Sequence, residues 1–424
     1  MDKNIYDKYV KVLREELITA LGCTEPIAIA YASAVAAKYL EKEPEHIVAV
    51  CSGNIIKNVK GVTVPNSGGQ KGVEAAAILG AIGGNADKEL EVMSSVTEED
   101  IERSKVLKEE GLCTVELADD VENLYIELIA TAGIDRVTVI IANKHTNIVS
   151  IKKNDEIVIN KCFTLNKGVG QNDRDFMTVA GILDFADVVD ILDVKDLLDH
   201  QIACNLTISE EGLKNSYGAN VGKNIIKLYG SDKVETRAKA YAAAGSDARM
   251  SGCDLAVVAN SGSGNQGITV SVPVYQYAKE LNVPDEKLYR ALVISNLISA
   301  HIKTGIGSLS AFCGAVSAST GSGAAITYLK GGSRKQIYYT ITNTLGTVSG
   351  IVCDGAKPSC AAKIASSVDC AILASEMAFN NDRFKGGEGI LTDDIESTVK
   401  NIGRLGHDGM NTTDKEILNI MIGK

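Results

Sequence analysis

The sequence predicts a mainly α-helical protein with an inserted α+β subdomain and a large helical domain rich in Gly, Ala and Ser. The chain has 424 residues, of which 45% are hydrophobic and 23% charged, as in folded globular proteins large enough to form several domains. It contains 40 Gly but only 6 Phe and no Trp, so small and aliphatic side chains must build the core. β-rich runs are concentrated between residues 90 and 165, and a helical pattern follows them.

The first predicted segment, residues 1–88, holds helices and a loop suited to a substrate, and is expected to pack with the C-terminal domain. Apolar residues at three- and four-residue spacing predict a helix over 5–21. Thr24 is predicted to cap a second, buried helix that reaches residue 40. Two short strands, 46–52 and 61–65, then lead to a small-residue helix over 70–79.

The second segment, residues 89–168, is predicted to be the small α+β subdomain. Its β-rich runs are 113–117, 124–132, 136–142 and 148–159. The third segment, residues 169–424, is predicted to be helical. Its candidate helices are 174–189, 193–206, 209–229, 234–250, 266–281, 285–303, 306–319, 335–350, 358–379 and 394–402.

Charge and targeting signals limit the function. With 43 Lys+Arg against 54 Asp+Glu the net charge is −11, which argues against nucleic acid or an anionic membrane as a main partner. The N-terminus has no apolar core of a signal peptide, and the charge-free stretch 304–329 is too rich in Gly, Ser and Thr to span a bilayer. We therefore expect a cytoplasmic protein whose ten cysteines are reduced thiols.

The cysteines are the main candidates for chemistry. Cys353 and Cys360 flank a loop that leads into a helix start, where thiolates are stabilised and soft metals bind. Cys313 lies in an uncharged internal stretch, and Cys23 precedes a helix start beside Glu25, where a lowered pKa would suit a base or nucleophile. Packing of buried thiols is the alternative for each. It is the interpretation adopted for Cys51, Cys113, Cys162, Cys204, Cys253 and Cys370.

Two strand-to-helix loops are candidates for binding a small anion. One is Asn260-Ser261-Gly262-Ser263-Gly264-Asn265-Gln266-Gly267 and the other is Asn66-Ser67-Gly68-Gly69-Gln70. A plain tight turn is the alternative, and the spacing does not match a dinucleotide-binding fingerprint. The histidines form no HExxH motif, and His145, followed by Thr146 and Asn147, has the most polar surroundings of the five.

These motifs together resemble the L-cysteine desulfidase family, which is related to the α-chain domain of iron–sulfur L-serine dehydratases. The resemblance extends over nearly the whole chain. It rests on Leu21-Gly22-Cys23-Thr24-Glu25-Pro26, the GSGNQG loop, Cys313-Gly314 and the segment from Cys353 to Cys360.

The resemblance implies a lyase that works without pyridoxal phosphate (PLP) and carries a [4Fe–4S] cluster in the helical domain. Cys313, Cys353 and Cys360 would be the ligands, which leaves one iron open. Cys23 would remove the α-proton, and L-cysteine would be converted to sulfide, ammonia and pyruvate. Loop chemistry and the resemblance together suggest that these residues hold the amino acid: Asn66, Ser67, Gly68, Asn265 and Gln266, with His145 and Asn147 closing over the site.

Three alternatives stay open at this point. The chain could be an iron–sulfur L-serine or L-threonine dehydratase, a non-catalytic metal-binding protein, or a relative that acts on another thiol compound. A small amino acid is the expected partner of the desulfidase, and the oligomeric state is undecided, with a homo-oligomer among the options. A structural metal site would normally be closed by four ligands, so a set of three favours catalysis.

Overall fold

A computed structural model describes residues 1–161, 174–307 and 309–424, without the side chain of Ile422. Cys162 and the predicted domain boundary between residues 168 and 169 lie outside these ranges. The helices are α1 Lys3–Glu16, α2 Thr24–Leu40, α3 Gly53–Lys60, α4 Val73–Gly83, α5 Glu98–Glu109, α6 Val179–Val188, α7 Lys195–Lys214, α8 Val221–Tyr229, α9 Val234–Met250, α10 Gly264–Glu280, α11 Asp285–Ile306, α12 Gly314–Leu329, α13 Arg334–Val348, α14 Cys360–Phe379, α15 Ile395–Arg404 and α16 Asn411–Ile422.

The strands are β1 Thr19–Leu21, β2 His46–Ser52, β3 Cys113–Ala118, β4 Tyr125–Ala132, β5 Asp135–Ala142, β6 Ile148–Lys153, β7 Glu156–Asn160 and β8 Ala256–Val258. Two 3₁₀ segments, Ala86–Ser95 and Ile191–Asp193, and a π-helical turn, Leu405–Gly409, complete the described elements. The prediction of a mainly helical protein with a mixed α+β part is confirmed.

The N-terminal helix is shorter than predicted. α1 ends at Glu16, and Thr19–Leu21 forms β1, which pairs antiparallel with β8. Apolar spacing alone could not reveal this, because the pairing partner lies more than 200 residues further along the chain. The predicted strand over 61–65 is also wrong, because the structure has only an isolated bridge there, between Thr63 and Lys71.

The start of α2 differs from the prediction in a way that matters for the site. Cys23, not Thr24, occupies the N-cap position, with extended backbone and no capping bond from its side chain. The Thr24 hydroxyl instead donates to the carbonyl oxygen of Gly262, 3.0 Å away. This bond joins the start of α2 to the loop before α10.

The described sheet has the strand order β3-β2-β4-β5-β6-β7. β2 and β3 are parallel, and the other neighbours are antiparallel. β2 comes from the predicted first segment and lies inside the sheet predicted for the second. α2 packs against β4, β5 and α4, and these elements share one hydrophobic core. The proposed boundary between the first two domains stays a prediction.

A second and larger core lies among the helices from α6 onward and includes α1. α12 is almost entirely buried and contacts α10, α11, α13 and α14. The predicted helix over 306–319 is therefore misplaced, because α11 extends to Ile306 and the next helix begins only at Gly314. No helix in the described ranges combines the length and the apolar character needed to cross a bilayer.

Helix α9 buries a carboxyl group that has no cationic partner among the described residues. Asp247 is 0% exposed, and its Oδ2 accepts a hydrogen bond of 3.0 Å from the Gly222 amide, while Oδ1 has no partner. Burial raises the pKa of Asp247 to about 6, although the amides of Gly222 and Val221 oppose the shift.

We expect Asp247→Asn to increase the free energy of unfolding by about 1–2 kcal/mol above neutral pH, because it removes a poorly compensated buried charge. The pKa of Asp247 is higher in the folded than in the unfolded wild type, so protonation of this group stabilises the folded state. This stabilisation is fully present below about pH 4 and is lost as the pH rises through about 6. Urea denaturation should therefore show the two proteins converging near pH 4 and separating by about pH 7. A difference that is constant with pH would contradict this assignment. The exposed control Asp254→Asn should change stability by less than about 0.5 kcal/mol.

Candidate active site

A cavity of about 110 Å³ is lined by elements from both sides of the molecule, namely the α2–sheet side and the helical side that follows α6. The start of α2 and helix α3 contribute one wall, and the tip of the β5–β6 hairpin contributes His145. The start of α10, the end of α9 and the loops before α12 and α14 form the remainder. Its polar and thiol-bearing lining residues include Cys23, Glu25, Asn58, His145, Arg249, Asn265, Gln266, Lys303, Cys313, Cys353 and Cys360.

Two of the cysteine loops are held side by side by main-chain hydrogen bonds. The Cys313 amide donates to Ile351 over 3.1 Å, and the Cys353 amide donates to Ala311 over 2.6 Å. These bonds form a short antiparallel bridge between Phe312 and Val352. The bridge brings the thiols of Cys313 and Cys353 within hydrogen-bonding distance of each other.

Cys360 completes the group of three thiols. It begins α14, and its thiol donates to the carbonyl oxygen of Gly355 over 3.7 Å. The turn between Gly355 and Cys360 thus brings residues that are seven apart in sequence to one cavity. The three predicted ligand residues are together in the structure.

Lysines lie close to these thiols, but only the pKa of Cys353 is lowered overall, because burial raises the pKa of Cys360 against the charges of Lys357 and Lys363. The hydrogen bond from Cys313 and the charges of Lys57 and Lys303 lower the pKa of Cys353. The same hydrogen bond, together with burial, raises the pKa of Cys313. Lys303 is only 7% exposed, and burial lowers its pKa even though the neighbouring thiols oppose that shift. A buried cation facing thiols favours a ligand that carries negative charge.

The C-terminal helix α16 stabilises both cysteine loops through a buried ion pair. Asp414 pairs with Lys57, whose side chain is 2% exposed. The other oxygen of Asp414 accepts a hydrogen bond of 2.8 Å from the Ala311 amide, and Lys57 donates to the carbonyl oxygen of Cys353 over 3.4 Å. One ion pair therefore contacts the loop of Cys313 and the loop of Cys353.

Cys23 and Glu25 form a hydrogen-bonded pair on the opposite side of the cavity. The thiol of Cys23 lies 3.2 Å from Oε2 of Glu25, which also accepts from the Thr24 hydroxyl over 3.1 Å. Asn58 donates to Oε1 over 3.0 Å. Although burial alone would raise it, the pKa of Glu25 is lowered by the charge of His145, the hydrogen bond from Cys23 and the charge of Arg249.

The expected low pKa of Cys23 is wrong. Burial raises the pKa of this thiol well above its usual value, and the carboxylate of Glu25 raises it further, while Arg249 opposes the shift. The positive end of the α2 dipole, taken alone, would lower the pKa of Cys23. Complete desolvation next to a carboxylate outweighs that dipole, so the residue is a neutral thiol that donates to Glu25.

Several buried polar atoms of the cavity have no protein partner. They are Nε of Arg249, Nε2 of His145 and the side-chain amide oxygens of Asn58, Asn265 and Gln266. Burial lowers the pKa of His145, and the charge of Arg249 lowers it further, although Glu25 opposes the shift. Groups of this kind in a cavity normally bind a ligand, because leaving them unpaired is unfavourable.

Four predicted substrate residues are not brought to this cavity. The Asn66 amide donates to the carbonyls of Met93 and Val96, both over 3.0 Å. Ser67 bonds to Gln70, Gly68 packs close to Ile101, and Asn147 donates to Ala142 over 3.0 Å within the hairpin turn. The structure therefore separates these residues from Cys23, His145, Asn265 and Gln266, which do line the cavity.

Sequence reasoning missed two cations and an amide. Arg249 lies near the end of the Ala-rich helix α9, after the uncharged run 240–246, and its 2% exposure could have been suspected from that run. Lys303 ends a long buried stretch of α11 in the same way. Asn58 carries no local signal, because only the tertiary contact of α3 with Glu25 reveals it.

The donor set does not suit a single metal ion. Within residues 1–161, 174–307 and 309–424, no three His, Cys, Asp or Glu side chains converge in a geometry that could hold one ion. An iron–sulfur cluster differs, because each thiolate binds a different iron and the sulfurs need not meet at one point. The three thiols with their surrounding lysines fit such a group.

Comparison with known proteins agrees with this class of site. The family described as serine dehydratase alpha chain matches residues 87–419, so the chain belongs to this serine dehydratase-like family. The relation to serine dehydratases predicted from the cysteine motifs is confirmed. The matched range includes Cys313, Cys353 and Cys360 but not Cys23.

Several curated relatives extend over the whole chain. A UPF0597 protein of Treponema denticola is 50% identical over 427 residues, covering 100% of this chain and 99% of the relative. One from Lachnoclostridium phytofermentans is 50% identical over 418 residues, covering 99% and 100%. One from Finegoldia magna is 49% identical over 418 residues, covering 98% and 99%. Their names state no activity.

Asp414→Ala should lower the free energy of unfolding by about 3 kcal/mol, because it leaves Lys57 buried and unpaired and removes the acceptor of the Ala311 amide. The double variant Lys57→Met/Asp414→Ala should be less destabilised than the sum of the single variants Lys57→Met and Asp414→Ala. Denaturant unfolding of all four proteins measures this coupling. Lys60→Met, on the same helix but exposed, is the control and should be nearly neutral. Strict additivity of the two single changes would rule out the pair as the stabilising contact.

Proposed function

We propose that the protein is a PLP-independent [4Fe–4S] lyase that converts L-cysteine and water to sulfide, ammonia and pyruvate. The observation that carries this proposal is the meeting of Cys313, Cys353 and Cys360 with Cys23 in one cavity. Membership of the serine dehydratase alpha chain family supports an α,β-elimination. Cytoplasmic location is part of the same proposal.

The three thiols are the residues that would hold the cluster. When bound, it would supply a Lewis-acidic iron without a protein ligand, to which the leaving sulfur of the substrate could bind. The charges of Lys57 and Lys303 lower the pKa of Cys353, and the charge of Lys363 acts in the same direction on Cys360, although burial raises the pKa of that thiol overall. This electrostatic setting supports a negatively charged thiolate-bound group in the cavity.

The chain's own residues provide the proton transfer. The proton on Sγ of Cys23 can move to Oε2 of Glu25 over their 3.2 Å hydrogen bond, which generates the thiolate. That thiolate takes the α-proton of the substrate, and the electron pair of the broken C–H bond forms the Cα–Cβ double bond as the β-sulfur departs. The resulting aminoacrylate becomes an imine, which water hydrolyses to pyruvate and ammonia.

L-Serine dehydration is the second candidate, and the name of the matching family favours it. The same proton transfer would then be followed by departure of hydroxide. L-Cysteine is preferred over L-serine as the substrate because the proposed base is a thiol. In addition, the sulfur that leaves L-cysteine is a soft ligand and binds iron more strongly than the hydroxide that leaves L-serine. A purely structural metal site is disfavoured. Cys23 and Arg249 line the same cavity as the three ligand thiols, and a structural metal site would need neither of them.

The first experiment measures pyruvate release from L-cysteine and from L-serine by anaerobically reconstituted protein. We expect release from L-cysteine to dominate and to disappear when the iron is removed. Release mainly from L-serine would keep the elimination and change the substrate. No release from either amino acid, with iron and acid-labile sulfide at about four per chain, would refute the proposed function.

Two cysteine variants separate ligand from base. Cys353→Ala should lose both iron and turnover, whereas Cys23→Ala should keep iron and sulfide while its rate falls by at least about 100-fold. Metal analysis, the visible absorption of the cluster and pyruvate release measure these effects. Cys370→Ala, a half-buried thiol on α14 away from the cavity, is the control and should retain both properties. Equal loss of iron in the Cys23 and Cys353 variants would contradict the division of roles.

A further inference from the structure

We infer that Arg249 is the carboxylate-binding residue of the cavity and that the amide oxygens of Asn58, Asn265 and Gln266 bind the ammonium group of the same ligand. The ligand class is therefore a zwitterionic α-amino acid with a free carboxylate. This inference rests on the proposed function for the identity of the reacting side chain. It adds the residues that select the backbone of the amino acid.

Arg249 is a buried guanidinium without a protein partner. It is 2% exposed, its Nε has no hydrogen-bond partner, and it forms no ion pair within the part of the chain that the structure describes. A guanidinium always carries charge, and the carboxylate of Glu25 acts on it only through charge, so its burial without a hydrogen-bonded counter-ion is unfavourable. A ligand carboxylate restores the pairing, and the planar fork of the guanidinium matches a carboxylate with two parallel bonds.

The surrounding backbone makes room for this guanidinium. A Cβ atom at Gly264 would lie 2.4 Å from Nε of Arg249, so the side chain lies directly against the start of α10. A Cβ atom at Gly314 would lie 2.5 Å from the Gln266 amide carbon, so that amide lies against the residue that follows Cys313. The two glycines allow cation and amide to approach the backbone where other residues would clash.

The acceptors are placed to complement the cation. Asn58 uses its NH₂ group to bond Glu25, which leaves its oxygen as the free acceptor, and the oxygens of Asn265 and Gln266 are likewise buried and unpartnered. All three line the same cavity as Arg249. One cation and three neutral acceptors suit a ligand with one carboxylate and one ammonium group. The charge of Arg249 also acts on Cys23, which places this ligand beside the proposed base.

Binding of L-alanine tests the inference, because alanine has the required backbone and no leaving group. We expect wild-type protein, purified and reconstituted anaerobically, to bind L-alanine at least about tenfold more tightly than L-alanine methyl ester or propionate in calorimetry. Arg249→Met should weaken L-alanine binding by about thirtyfold or more and leave ester binding within about twofold. Arg249→Lys keeps the charge but not the fork, and should recover only part of the preference.

The control is Arg237→Met, on the same helix but paired with Glu280 outside the cavity, which should bind L-alanine like the wild type. Iron content and melting temperature verify that each variant is folded and loaded. If Arg249→Met keeps the preference for L-alanine over its ester, or if the wild type has none, the inference is overturned. If the preference depends on Arg249 but neither L-cysteine nor L-serine yields pyruvate, the inference stands and the proposed function falls.

Discussion

The buried ion pair between Lys57 and Asp414 is the contact on which the arrangement of the thiols depends. It joins three segments that are far apart in sequence: helix α3, the C-terminal helix α16 and the paired loops of Cys313 and Cys353. Burying two charges is unfavourable unless further hydrogen bonds satisfy them. Here the Ala311 amide and the Cys353 carbonyl provide those bonds, so the energetic requirement of the pair also sets the position of both loops.

The cavity is divided into two electrostatic environments. Beside the three ligand thiols lie lysines, and the carboxylates at these loops are paired with lysines: Asp414 with Lys57, and Asp354 with Lys357 and Lys363. On the other side, Glu25 accepts from Cys23, Thr24 and Asn58, and Arg249 acts on it through its charge without forming an ion pair in the described part of the chain. One small cavity can therefore hold lysines that favour the thiolate of Cys353 at one end and, at the other end, Arg249, which is available to bind a ligand.

Sequence patterns predicted most of the helices and the strands of the sheet, because their apolar periodicity is local. β2 and α9 have the predicted bounds, at 46–52 and 234–250. The pairing of β1 with β8 was not predictable, since it depends on a contact between distant segments. The same limit applies to the site. The cysteines could be selected from their motifs, whereas Arg249 and Asn58 acquire a role only through the packing of α9 and α3 around the cavity.

The loop of Asn66 shows why composition is not enough to identify a binding residue. It shares Asn, Ser, Gly and Gln with the loop before α10, and both connect a β-rich segment to a helix. The two loops differ in the hydrogen bonds that their side-chain amides form. The Asn66 amide is used by two carbonyls of the 3₁₀ segment, whereas the oxygens of Asn265 and Gln266 have no protein partner.

The neutral state of Cys23 links these observations. A thiolate beside the carboxylate of Glu25 would be repelled by it, and burial removes the water that would otherwise stabilise either charge. Transfer of the proton to Glu25 keeps the negative charge of this environment at one, and Arg249 lowers the pKa of both groups, so its charge attracts the anion whichever of the two carries it. Since only thiolates react readily with oxidants, a base that remains protonated at rest is also protected from oxidation. The pair of Cys23 and Glu25 thus supplies a strong base when a proton moves between them, and an unreactive thiol when it does not.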